Sequence, residues 1–133
     1  MFKSSPIPIW MNIFMLVLLF FMGIQVYWFY FDHGFLVEAG ITTIGAPNLN
    51  VLYSTAGRLL AMVVATLVVM ITQNPHGHLV ALLMSILREG QEMIIDPLYP
   101  YANSPASTAM DFGVHVVIAA LENAAFVAVL RIT

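Results

Sequence analysis

The chain is built from long apolar runs separated by short stretches rich in glycine, proline and asparagine. Residues 9–31, IWMNIFMLVLLFFMGIQVYWFYF, hold no charge. At 1.5 Å per residue, about 23 helical residues cross roughly 30 Å of hydrocarbon. The run ends in YWFYF rather than in small residues, so it is expected to stay in the protein as a span rather than be cleaved as a signal peptide. Trp10 at one end and Tyr27, Trp28 and Tyr30 at the other resemble interfacial aromatic belts. Residues 32–50 carry Gly34, Gly40, Gly45 and Pro47 and read as a loop, with FLVEAG as a short surface helix. A second span is expected over about 51–72, a tight turn at QNPHG, and a third span over about 78–96 that stops at Asp96-Pro97. Residues 97–106 read as loop, and a fourth span covers about 107–131, with Ser107 or Thr108 as its N-cap.

The expected fold class is therefore all-α: a polytopic membrane protein, one four-transmembrane-helix bundle over residues 1–133. A β-barrel is excluded because the apolar runs are continuous rather than alternating and too few to close. Composition agrees. The chain is 61% hydrophobic and 8% charged, against about 25% charged in a soluble domain. With no cysteine there are no disulfides and no thiolate chemistry, and a net charge of −3 without a basic patch gives nucleic acid no footing. Lys3 and Arg131 flank the spans, and the loops at 32–50 and 97–106 hold no Lys or Arg. The positive-inside rule then places both termini in the cytoplasm, in a multi-pass protein of the cell inner membrane.

The few charges are not scattered. In LREGQEMIID, residues 87–96, Arg88, Glu89, Glu92 and Asp96 fall on one arc of about 100° of the third helix, beside Ser85. Asp111, His115 and Glu122 form a stripe on the fourth helix, and Arg58 shares a face of the second with Ser54, Thr55 and Thr66. Counted inward from the outer helix ends, Arg58, Arg88, Glu89 and His115 all lie about 10–12 Å down, and Glu122 about 20 Å down. An isolated charge in mid-bilayer costs at least about 2.5–3.5 kcal/mol, so these groups are expected to face one another inside the bundle. Arg88 can pair with Glu92 one turn away, and Arg58 with Glu89 or Glu122 across the bundle.

Two readings of this group compete. One is a structural ion-pair network that fixes helix register. The other is a polar pocket near the non-cytoplasmic leaflet, with Arg58, Arg88, Glu89, Glu92, Asp111, His115 and Glu122 as ligand-binding residues. It would serve a ligand- or lipid-handling module or a subunit of a larger membrane complex. The alternative is a membrane-embedded enzyme acting on a lipophilic substrate, with Glu89, Glu92, His115 or Glu122 as general acid or base and an arginine stabilising negative charge. A through-channel is disfavoured, since below Glu122 the fourth span offers only AAFVAVL. No metal or cofactor is expected: Glu89-x-x-Glu92 with Asp111-x-x-x-His115 is half of a di-metal pattern, and two arginines beside it would repel a cation. His76 and His78, at the turn NPHGH, read as a solvated pair. Asp32-His33-Gly34 reads as a turn that could form a lip over the pocket. The nine methionines read as lipid-facing or packing filler. Expected partners are the lipid bilayer and a lipophilic small molecule or other membrane subunits.

Three motifs carry a resemblance. GRLLAM opens the second helix with a basic residue, and ALLMSILREG places an arginine late in the third, followed by Asp96 and a proline-containing loop. ALENAAFVAVLR puts a glutamate in the last helix. Over about residues 53–131 this order resembles the DoxX-like group of small bacterial four-helix membrane proteins. Glu89, Glu92 and His115 add charge beyond that pattern. The resemblance implies a four-helix bundle, in some members a companion of redox or quinone-linked membrane systems.

Overall fold

A computed structural model describes residues 7–100, 102–103 and 107–133. Among the described residues the fold is entirely helical: α1 (Ile9–Tyr30), α2 (His33–Glu38), α3 (Ala46–Thr72), α4 (Pro75–Leu98) and α5 (Thr108–Leu130). Helices α1, α3 and α5 are long and apolar enough to cross a membrane. Lys3, half of the orientation argument, lies outside the described residues.

The helices pack as two antiparallel pairs, α1 with α3 and α4 with α5, while α3 and α4 touch less extensively. Helix α1 turns a stripe of Met11, Met15, Leu18 and Met22 inward, at spacings of four, three and four. That stripe meets Leu82 of α4 and Ala125 and Val129 of α5 in one core. Three of the nine methionines thus have a definite place: unbranched side chains that fill the irregular gap between two helix pairs.

Local chemistry explains where the helices begin. Helix α3 starts at Ala46 rather than at the expected 51, because Gly45, with φ +92°, makes the turn and Pro47 suits a first helical turn, where its missing N–H has no partner to lose. The turn before α4 is tighter than expected. Gln73 takes the left-handed conformation at φ 51°, Asn74 caps α4 by accepting from the N–H groups of His76 and Gly77, and Pro75 is the first helical residue. Proline and glycine here are helix-starting residues, not loop residues. Gly77 also lets α4 approach α3, since a Cβ at that position would lie 3.0 Å from Val69 Cγ2. At the far end Pro97 does not stop α4, which runs to Leu98 with Tyr99 as C-cap; the residues after a proline can finish a last turn. Ser107 caps α5 as expected, accepting from Met110 N–H at 3.3 Å.

Candidate functional site

The charged residues of α4 and α5 converge on His115. Glu89 is fully buried. Its Oε1 accepts from Arg88, and its Oε2 lies 2.7 Å from His115 Nδ1. Glu92 stands 3.7 Å from the same nitrogen. On the other side of the ring, Nε2 faces Asp96 at 3.3 Å and Asp111 at 4.0 Å. One imidazole therefore sits among four carboxylates. A neutral ring carries one N–H and can donate to only one side; a protonated ring donates to both.

Arg88 anchors the cluster to α1. It donates to Gln25 at 3.3 Å while its other terminal nitrogen faces Glu89, with Glu92 at 3.8 Å. The expected one-turn pair with Glu92 is the looser contact, and the adjacent Glu89 is the tighter one. Periodicity puts neighbours about 100° apart, but a long arginine side chain can fold back across that angle. Below this layer Ser85 donates to Glu122 Oε1. Glu122 is fully buried, and its Oε2 has no hydrogen-bond partner.

Six of the seven residues read from sequence as ligand-binding are thus gathered on the α4–α5 side: Arg88, Glu89, Glu92, Asp111, His115 and, one layer down, Glu122. Arg58 is not. It is exposed on α3, and no ion pair among the described residues includes it. The expected pairing of Arg58 with Glu89 or Glu122 fails because α3 packs chiefly on α1 and turns Leu52, Ala56 and Leu59 inward instead. With Arg58 outside, the charges do not balance. Four carboxylates around His115 face one fixed cation, Arg88. Asp96 adds to the imbalance by sitting in the last turn of α4, where the helix dipole is negative.

Two donor sets could hold a cation: Glu89, Glu92 and His115, and Asp96, Asp111 and His115. In each, the ligand atoms lie within 4.8 Å of one another. The argument against metal from two neighbouring arginines now rests on Arg88 alone. Glu92, Asp96 and Asp111 are partly open, with side chains 31%, 23% and 37% exposed, so the cluster is reached from the end where α4 stops and α5 starts.

Several residues escaped sequence reasoning. Gln25 continues the buried α1 stripe three residues past Met22, and that spacing was a legible signal. Asn12 and Gln73 form a reciprocal amide pair at 3.1 and 2.9 Å between the start of α1 and the end of α3. His78 is a correction: it is fully buried in the first turn of α4, its Nδ1 donating to Asn74 O at 2.9 Å and its Nε2 unpartnered. His76 alone is exposed. Asp32 caps α2 by accepting from Gly34 N–H, and His33 Nε2 lies 3.1 Å from Phe29 O, so that motif ties α1 to α2 and does not touch the cluster.

No protein-family model, curated protein or solved structure matches the chain.

Proposed function

We propose that the chain is a multi-pass protein of the inner membrane with four spanning helices, α4 being the fourth, and with both termini cytoplasmic. In this reading the cluster around His115 is a ligand site near the non-cytoplasmic leaflet. The DoxX-like order of motifs is consistent with this architecture. Helix α4 is 24 residues long, and its first half, up to Leu87, carries no Asp, Glu, Lys or Arg. Its acids Glu89, Glu92 and Asp96 turn toward His115 of α5 and Arg88 toward Gln25 of α1, so lipid need not solvate them.

The convergence of four carboxylates on one imidazole carries the functional reading. A network kept only to fix helix register would approach charge balance, because unpaired buried charge is costly. A surplus of acid open at one end is suited to a cationic ligand, a metal ion or an organic ammonium group, whose charge completes the set. Glu89 and Arg88 hold His115 in place, while Glu92, Asp96 and Asp111 form the mouth.

Thermal unfolding of the detergent-purified protein tests this. Mn²⁺, Zn²⁺, Ca²⁺ and spermidine are titrated in turn, each against a sodium control of equal ionic strength. A ligand that binds only the folded protein raises its stability by RT ln(1 + [L]/Kd). At least one of the four should raise the melting temperature in the wild type and not in Glu92→Gln. Failure of all four sinks the ligand reading. Reporters fused at residues 40 and 102 test topology separately, and both should read non-cytoplasmic.

A further inference from the structure

Arg58 and the groove below it form a second feature, independent of the acidic cluster. Helices α3 and α4 approach closely at their turn, where Gly77 meets Val69, and each then packs mainly on a different partner. A shallow, open groove is left between them, lined by Met62, Ala65, Thr66, Ala81 and Met84. The lining is apolar except for one threonine hydroxyl, and it lies in the charge-free stretches of both helices.

Arg58 precedes Met62 by four residues and Ala65 by seven, so it stands on the groove side of α3. It is about 6 Å above Met62 and about 10 Å above Ala65 along the axis, toward the Ala46 end. The structure therefore presents an apolar groove between α3 and α4 with an exposed arginine, Arg58, toward its Ala46 end; in the topology proposed above that end lies in the outer leaflet. No carboxylate among the described residues lies within ion-pair reach of the Arg58 guanidinium. Left bare in lipid, such a group is costly, and a phosphate is its natural bidentate partner.

We propose that the α3–α4 groove binds one anionic phospholipid, its acyl chain lying along Met62, Ala65, Ala81 and Met84 and its headgroup phosphate on Arg58. The occupant follows from the chemistry of the two parts. A single cation at one end of an apolar channel matches an amphiphile with one anionic head and one tail to seat, and the surrounding bilayer supplies it. The proposal rests on the membrane-embedded reading and not on the acidic site, so either can fail without the other.

Native mass spectrometry of the protein in a neutral detergent is the test, with dioleoyl phosphatidylglycerol and dioleoyl phosphatidylcholine as probes. One arginine near a headgroup corresponds to about a fivefold preference for the anionic lipid. Wild type and Arg58→Lys should show that preference. Arg58→Gln should bind the two lipids equally, since Arg58 has no ion-pair partner among the described residues to orphan. Ala65→Phe and, as a second groove-filling variant, Ala81→Leu should weaken both lipids together. Arg58→Gln with an undiminished preference overturns the headgroup contact. Groove-filling variants that fold and bind both lipids like wild type overturn the groove. A dimer that depends on Arg58 overturns the choice of a lipid as occupant and assigns the face to a second copy of this chain.

Discussion

The two helix pairs are held together by different chemistry. Between α1 and α3 the polar contacts sit at the ends: the Asn12–Gln73 amide pair at one, and Tyr30 packed on Tyr53, ring centroids 5.7 Å apart, at the other. The α3 side of this pair turns in Leu52, Ala56 and Leu59. Helices α4 and α5 instead share a charged layer, with Glu89 buried between Arg88 and His115, and only below it do Leu82, Ala125 and Val129 join the core. Two arginines on opposite sides of this division make the contrast plain. Arg58 and Arg88 lie at nearly equal distances from the α3–α4 turn, about 23 and 22 Å by helical rise. One is exposed on α3 without an ion pair among the described residues. The other lies inside with Gln25, Glu89 and Glu92 around it. Equal depth does not mean equal role; the rotational position of each helix decides it.

The largest effect should come from breaking the charged layer on one side only. Arg88→Leu leaves Glu89 buried without its cation, and removal of one member of a buried pair costs about 3–5 kcal/mol. Thermal unfolding in detergent should show that loss, and Arg88→Leu with Glu89→Leu should recover a large part of it. A double variant as unstable as the single would refute the pairing drawn here.

The α1–α3 pair should respond less. Asn12→Leu removes its two hydrogen bonds to the Gln73 side-chain amide, which keeps its donation to Met70 O, at a cost of about 1–3 kcal/mol. Asn12→Leu with Gln73→Gly should lie closer to wild type, because glycine suits the left-handed backbone there and leaves no amide to satisfy. If the double variant falls below the single, the amide pair is not what Asn12 contributes. The smallest effect belongs to Arg58→Leu, which should change stability in detergent by no more than about 0.5 kcal/mol, as is usual for an exposed group without specific partners. A loss comparable with Arg88→Leu would place Arg58 inside the bundle after all.

These contrasts also show what the sequence could and could not disclose. The α4 and α5 stripes were legible because helical periodicity fixes which residues share a face, and Glu89, Glu92, His115 and Glu122 do face inward. The same arithmetic fixed which residues share a face with Arg58 but could not tell which neighbour α3 would pack on. That choice depends on how the apolar faces fit, and α3, with Ala56 and Leu59 buried, packs chiefly on α1. Helix ends differ from expectation where proline and glycine start helices instead of breaking them. Pro47 and Pro75 start helices, and Pro97 sits in a last turn, so each proline's meaning depends on a hydrogen bond that only the fold reveals. The burial of His78 has the same origin. Once α4 begins at Pro75, its first turn carries His78 inward.

The central claim is that the acids around His115 exceed what packing needs and are held for a cationic ligand. The double variant Asp96→Asn, Asp111→Asn tests its sign. Both residues face His115 Nε2, and neither touches Arg88. If the acids are in surplus, neutralising two of them relieves repulsion. The variant should then melt above wild type in a chelating buffer, and it should lose the rise that the binding cation gives wild type, the trade between stability and function expected of a working site. A variant that melts below wild type, with any cation response unchanged, would show that Asp96 and Asp111 are structural partners of His115 and would contradict the account.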